Sequence, residues 1–326
     1  MSLKKTAVLL TNLGTPATNS RAAVAAFLKQ FLSDQRVVEI PAFIWWFILN
    51  LIILPFRSKS ALHAYEQIWT DEGSPLLAIS RRQKEALQKK LGDTVHVDMM
   101  MRYGEPSFAS VMNGLMQQGY NNFVVLPLYP QNSATTTATT YDHIASVLKK
   151  TRNVPDISMI SNYHADPGYI GALAASVQEH WKQQQRQRFL LMSFHGLPQR
   201  NVDLGDPYYD QCLGTAHLLA TLLGLSANQW GISFQSRFGK QQWLKPYTSD
   251  TLEALASKTK LKEIDVICPG FSVDCLETLE EIQMQNRDVF LEAGGEQYHY
   301  IPCLNDRDDH IDMMAELIRP HLPRQD

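Results

Sequence analysis

The sequence predicts an α/β fold: two similar doubly wound, Rossmann-like parallel-sheet domains facing a central cleft. Three observations predict it. Short apolar runs alternate with helical patterns along the 326 residues, the arrangement in which helices cover a sheet. The runs are continuously apolar rather than alternating, as strands buried on both faces are. Short motifs at strand ends recur in the same order in the two halves, so one unit occurs twice.

The apolar runs predict strands at 7–11, 95–101, 123–128, 157–160, 189–193, 231–235, 264–268 and 298–301. Helical patterns lie between them, among them 76–91, 108–118, 171–183, 208–223 and 276–293;. Asn12-Leu13-Gly14-Thr15-Pro16 parallels Phe194-His195-Gly196-Leu197-Pro198, Arg102-Tyr103-Gly104 parallels Arg237-Phe238-Gly239, and Pro127-Leu128-Tyr129 parallels Pro269-Gly270-Phe271. The first pair is further apart than the other two, so the first half carries an insertion before its second strand. The expected domains are 1–155, holding an apolar lip at about 41–57, and 156–304. A terminal helix at 305–326 is expected to return to the first domain.

The 44% of hydrophobic residues suffices for sizeable cores. A net charge of −3 without a long basic block argues against a nucleic-acid partner;. Cys212, Cys268, Cys275 and Cys303 form no C-x-x-C pair, which suits reduced thiols in a cytosolic protein. The amino terminus leads straight into a strand, with no sign of a signal peptide. There is no Gly-x-Gly-x-x-Gly or Gly-Lys-Ser/Thr element, which counts against a nucleotide enzyme;.

Between Pro41 and Phe56 the chain is almost wholly apolar, with paired Trp45 and Trp46 and with Arg57 and Lys59 beside it. The sixteen residues Pro41 to Phe56 are short for a span, which needs about twenty;. The segment reads either as a buried core helix or as an apolar lip, carried by Ile44, Trp45 and Trp46, that meets a membrane or a greasy ligand.

Two strand ends carry candidate chemistry, where open α/β sheets place their ligands. Ser193-Phe194-His195-Gly196-Leu197-Pro198 supplies an imidazole, and Phe271-Ser272-Val273-Asp274-Cys275-Leu276-Glu277 supplies carboxylates. Such a pair can move protons, hold a metal, or do both. Asp274 with Glu277 three residues on is also a helix start of capping-box kind. Glu277 and Glu281, at i and i+4, share a face and form an acidic track for protons or metal together with Asp274.

At these residues the chain resembles the ferrochelatase family, which inserts ferrous iron into protoporphyrin IX. The likeness covers nearly the whole chain. Its anchors are Asn12 to Pro16, Gly73-Ser74-Pro75-Leu76, Arg102-Tyr103, Tyr129-Pro130-Gln131, Ser193 to Pro198, Gln235-Ser236-Arg237 and Asp274-x-x-Glu277-Thr278. The resemblance implies that His195 and Glu277 are the catalytic and iron-site pair, that Arg102 and Tyr103 belong to the porphyrin pocket, and that 41–56 is the family's hydrophobic lip. Leu13, Tyr129 and Phe271 are candidate contacts for the macrocycle, and the fork of Arg102 suits a propionate.

The resemblance also implies protoporphyrin IX and ferrous iron as substrates, no required cofactor, and a cytoplasmic protein with peripheral membrane contact. Leu13 stands where coproporphyrin-metallating members carry tyrosine, which favours protoporphyrin. Cys275 stands where animal members carry histidine, and the chain stops at Asp326 without their cysteine-bearing extension, so no iron–sulfur cluster is expected. A chelatase for another tetrapyrrole or metal, and a tetrapyrrole or haem carrier, are the alternatives.

Overall fold

The computed structural model describes residues 5–239 and 241–323. All eight expected strands form, in two four-stranded parallel sheets. The first sheet has the order β2-β1-β3-β4, with β1 at Thr6–Gly14, β2 at His96–Tyr103, β3 at Asn122–Pro127 and β4 at Asp156–Met159. The second has the order β6-β5-β7-β8, with β5 at Phe189–His195, β6 at Trp230–Gln235, β7 at Glu263–Ile267 and β8 at Gln297–Ile301. The two orders are the same pattern, as the repeat requires. Each sheet buries its own apolar cluster: Leu9, Met100, Phe123 and Val125 in the first, Leu191, Ile264, Val266 and Phe290 in the second.

The chain divides into two compact units. One comprises the chain up to Leu128, residues 134–161 and the chain from Ile311. The other comprises Tyr129–Ser133 and Asn162–His310. A boundary at 155 falls too early, because β4 pairs with β3 along Asn122↔Asp156 to Val125↔Met159 and is the edge of the first sheet. Pro155 marks the turn into that strand and not the end of the domain.

Strand pairing also corrects the repeat. Met101 N–H donates to Pro106 O at 2.7 Å, and Phe234 N–H donates to Pro246 O at 2.8 Å. Asn12 lies opposite Met101, and Phe194 opposite Phe234. Leu13 is therefore the counterpart of His195, while Arg102 is the counterpart of Gln235 and not of Arg237. In the third pair the register differs by one: Leu10 faces Leu126 and Met192 faces Ile267, so Pro127 answers to Cys268.

The insertion in the first half holds α1 (Arg21–Leu32), α2 (Ala42–Ile48), a π-helical stretch at Leu49–Ile53, α3 (Leu54–Ile68) and α4 (Pro75–Leu91). Helix runs unbroken from Ala42 to Ile68, and by length and composition alone its 27 residues are enough to cross a membrane. The apolar segment legible in the sequence ends at Phe56, inside this helix. Pro55 lacks an N–H, but Leu54 N–H already reaches back to Leu49 O, so the π turn absorbs the irregularity that a proline brings to an α-helix;.

This helix has two sides. Phe43, Ile44, Trp46, Phe47, Leu51, Ile52 and Phe56 are exposed, whereas Trp45 and Leu49 are buried with Leu32. The Trp45 Nε1–H donates to Leu32 O at 2.5 Å. Trp45 is therefore core and not lip, because its neighbour Trp46 points the other way round the helix. Trp45→Ala should cost about 3 kcal/mol or more, as large-to-small changes of buried aromatics do. Trp46→Ala, at a position 54% exposed, should shift a denaturant midpoint little. Equal losses from the two would show that both rings face the core.

Candidate active site

His195 is the last residue of β5 and pairs in register with Gln235, the last of β6. The next residue must be glycine: a Cβ on Gly196 would stand 2.6 Å from Gln235 O, the atom that accepts the Gly196 N–H at 2.8 Å. The same close approach recurs in the first sheet, where Gly14 has φ +102° and a Cβ would stand 1.8 Å from Tyr103 O. His195 Nδ1 lies 2.7 Å from Gly196 O. A carbonyl only accepts, so Nδ1 carries the hydrogen and Nε2 is the basic nitrogen. The Phe271 ring stands 6.4 Å from the imidazole, centre to centre.

Gln235 joins the histidine strand to the acidic helix. Its side chain accepts from Ser193 Oγ at 2.8 Å and donates from Nε2 to the Glu277 carbonyl at 2.8 Å. Glu277 opens a π-helical stretch, Glu277–Gln285, that continues as α11, Asn286–Glu292. π-helical turns inside α-helices are frequent at functional sites, and this nine-residue stretch carries both Glu277 and Glu281. Ser236 N–H donates to Glu281 Oε1 at 2.7 Å, and the Ser236 hydroxyl bonds the other oxygen. Burial raises the Glu281 pKa, with the charge of Glu277 adding to the rise; the Ser236 bonds and His195 oppose it. Glu281 thus binds a proton more readily than an ordinary glutamate, next to an imidazole and a second carboxylate.

Asp274 does not join that track. It is 6% exposed, and its oxygens face Tyr300 OH at 2.6 Å, Asn305 Nδ2 at 2.7 Å, Thr278 Oγ1 at 3.1 Å and Cys303 N at 3.3 Å. A carboxylate so fully occupied is a structural support for the start of the helix. The capping box does not form: the helix starts without a side-chain cap, and Asp274 N–H donates to Asn305 Oδ1 at 2.8 Å instead of to Glu277, which is half-buried;.

Arg102 and Tyr103 are likewise taken up internally. The Arg102 guanidinium bonds Asp34 and Thr139, and its Nη1 lies 2.6 Å from His143 Nε2. Tyr103 OH donates to Asp34 Oδ2 at 2.9 Å, under an arginine 4.3 Å from its ring. Arg102 and Asp34 expose only 8% and 10% of their side chains. A propionate would have to displace a buried carboxylate, so the pocket role expected of these two residues is not what their contacts describe. Leu13, Tyr129 and Phe271 are half-buried at strand ends. Among the described residues, no group of three His, Cys, Asp or Glu side chains is arranged to hold a metal ion.

Sequence reading missed Gln235, Ser236, Tyr300 and Asn305 as supports of the site. Asn305 has φ +50°, a conformation that asparagine tolerates better than most residues, and lay in view as the only asparagine between the last strand and the last helix.

Solved structures share the fold. SirB from Bacillus subtilis with Fe3+ gives a TM-score of 0.56 at 12% identity, over 97% of this chain and 95% of that one. CbiX, described as the terminal enzyme for biosynthesis of siroheme in denitrifying bacteria, gives 0.51 at 12%, over 98% and 100%. At such identity the likeness speaks for the fold alone: a two-domain, Rossmann-like chelatase architecture. The sequence comparisons are more specific. The ferrochelatase family model matches residues 5–322. Ferrochelatase of Aeromonas hydrophila subsp. hydrophila is 54% identical over 317 residues, 96% of this chain and 98% of that protein. Ferrochelatase of Aliivibrio fischeri is 49% identical, over 98% of each. The chain belongs to the ferrochelatase family, the porphyrin metal chelatases that insert ferrous iron into protoporphyrin in haem synthesis.

The support of the site gives a pH prediction. His310 is 1% exposed, and its Nδ1 lies 2.7 Å from Asn305 O, holding the turn that grips Asp274. Burial lowers its pKa to about 4, against about 6.5 for an unfolded histidine. Its folded pKa is depressed, so the stability it contributes is complete above pH 6.5 and is lost as pH falls from there towards 4. Each unit is worth about 1.4 kcal/mol, so roughly 3 kcal/mol is at stake. Urea titrations between pH 7 and 4 should show that slope, and His310→Gln should flatten it. An unchanged slope would place the acid sensitivity elsewhere.

Proposed function

We propose that His195 and Glu277 are the catalytic pair of this chelatase and its transient iron ligands, and that Glu281 relays the protons. Metallation removes two pyrrole N–H protons as one dication enters, so charge balances with two protons released. The observation that carries this reading is the hydrogen bond from His195 to Gly196 O. It fixes the tautomer of the neutral ring, with the hydrogen on Nδ1 and the lone pair on Nε2, where a proton can be accepted;. Glu277, anchored through its own carbonyl by Gln235, guides the metal. Glu281, with its raised pKa, takes the proton onward.

Leu13, Tyr129 and Phe271 supply apolar contact to the macrocycle, and remote contacts of this kind hold a flat ring bent. An aliphatic residue at Leu13 suits protoporphyrin IX. The acid–base groups and the metal guides are all side chains of the chain itself. The chemistry therefore needs no further cofactor and involves no iron–sulfur cluster. The exposed face of the helix Ala42–Ile68, with Ile44, Trp46 and Phe47, docks peripherally on a lipid surface. A contiguous apolar face of this extent is more than soluble monomers commonly expose. The protein then works in the cytoplasm at the membrane surface, where a poorly soluble porphyrin is found.

Iron or zinc insertion into protoporphyrin, followed by absorbance, tests the assignment. His195→Ala should abolish metallation while porphyrin affinity stays within about tenfold, since the lost step is proton acceptance. Near-wild-type turnover would remove His195 from the mechanism. Glu277→Gln keeps shape and removes charge, and should slow insertion by ~100-fold or more. A variant that loses only about 1 kcal/mol of stability and keeps its rate would leave Glu277 as a cap.

A further inference from the structure

The cluster around Asp34 stands apart from the acid–base machinery and touches the segment just before the aromatic helix. Asp34 follows α1 and sits at the start of the stretch that leads to Ala42. Its carboxylate collects Arg102 and Tyr103 from the end of β2 and Thr139, at 2.6 Å, from the start of α6 (Thr139–Leu148). Its second oxygen accepts Arg36 N–H at 2.9 Å, and its carbonyl accepts Val37 N–H at 3.0 Å and Val38 N–H at 2.9 Å. Arg36 then forks onto Asp142 of α6. Two elements are thus tied to a three-residue stretch by charge-assisted bonds, the strongest kind available to side chains.

Farther on, the only polar fastening of the buried face of α2 among the described contacts is Trp45 Nε1 to Leu32 O. The rest is apolar contact with Leu32, Val38 and Ile40. Val38 N–H is held by the Asp34 carbonyl and the Ile40 carbonyl accepts from Gln35 Nε2 at 3.3 Å, so the surface on which Trp45 and Leu49 rest is fastened to the stretch that the carboxylate pins. We propose that the buried Asp34–Arg102 pair is a latch: it fixes the loop 33–41 and thereby sets where the aromatic helix Ala42–Ile53 stands on the first unit. Asp34 and Arg102 are positioning residues, acting through Val38, Ile40 and Trp45. That the placed helix serves porphyrin uptake rests on the reading in the preceding subsection.

Hydrogen exchange followed by mass spectrometry on the full chain, with porphyrin kinetics beside it, tests the latch. Asp34→Asn keeps the size of the side chain and removes its charge. Exchange across 42–53 should quicken about tenfold or more, as local opening becomes easier, while exchange across 189–195 stays unchanged. KM for porphyrin should rise, with kcat within about threefold. Unchanged exchange at 42–53 with a fallen kcat would overturn the latch and put the pair in the reaction. Quicker exchange with an unchanged KM would uphold the latch and remove the helix from porphyrin uptake. Where Asp34→Asn alone fails to fold, Asp34→Asn with Arg102→Gln leaves no unpaired buried charge. Wild-type exchange at 42–53 in that double variant overturns the proposal equally.

Discussion

A buried carboxylate has to be satisfied or it is expelled, and the chemistry of the second unit hangs on how Asp274 is satisfied. Four donors from three stretches of chain converge on it. They bring the turn after β8, the end of β8 and the first turn of the acidic helix to one point. Removing any donor leaves a desolvated charge, which costs more than the bond itself contributed. The helix start therefore has little freedom, and the Glu277 carbonyl can be met by Gln235 at a fixed distance. A fully bonded carboxylate thus decides where the half-buried Glu277 stands.

The duplicated unit shows how one framework came to hold one site. In both sheets the first strand ends in a glycine pressed against the carbonyl of the neighbouring strand. In both, the end of that neighbouring strand reaches across to the helix after the third strand: Arg102 to Thr139, Gln235 to Glu277. The bridging position is kept and its chemistry is changed. With Asp34 as partner, the first unit uses it for a buried ion pair. With Ser193 behind it, the second uses it as a neutral amide that bonds the Glu277 carbonyl and leaves that residue's carboxylate unengaged by the bridge. Leu13, in the place of His195, adds no second base.

The fold was readable because parallel strands covered on both faces must be apolar throughout, and eight such runs are hard to mistake. His195 and Glu277 stand out in the sequence for a related reason, since both follow such runs at the ends where sheets expose ligands. Arg102 and Asp274 misled because a charged residue at a strand end looks the same in sequence whether it meets a ligand or a partner from its own chain. For Arg102 that partner, Asp34, is 68 residues away, beyond any local pattern. Trp45 and Trp46 show the finer limit: successive residues are turned by about 100° round a helix, and only the packing of Leu32 and Leu49 decides which of the two is inside. The π turn before Pro55 left no trace in the sequence beyond the proline, which reads as a stop.

The four cysteines are free and buried, and burial is the foremost cause that pushes each thiol well above its ordinary pKa. Thiolate, and not thiol, is the species that oxidants and soft metals attack. A protein that handles ferrous iron in the presence of oxygen works beside a source of peroxide and radicals. Cys268, Cys275 and Cys303, which neighbour Asp274, are kept protonated and screened from water there. As buried thiols they are weak ligands for soft metals and poor targets for oxidants;.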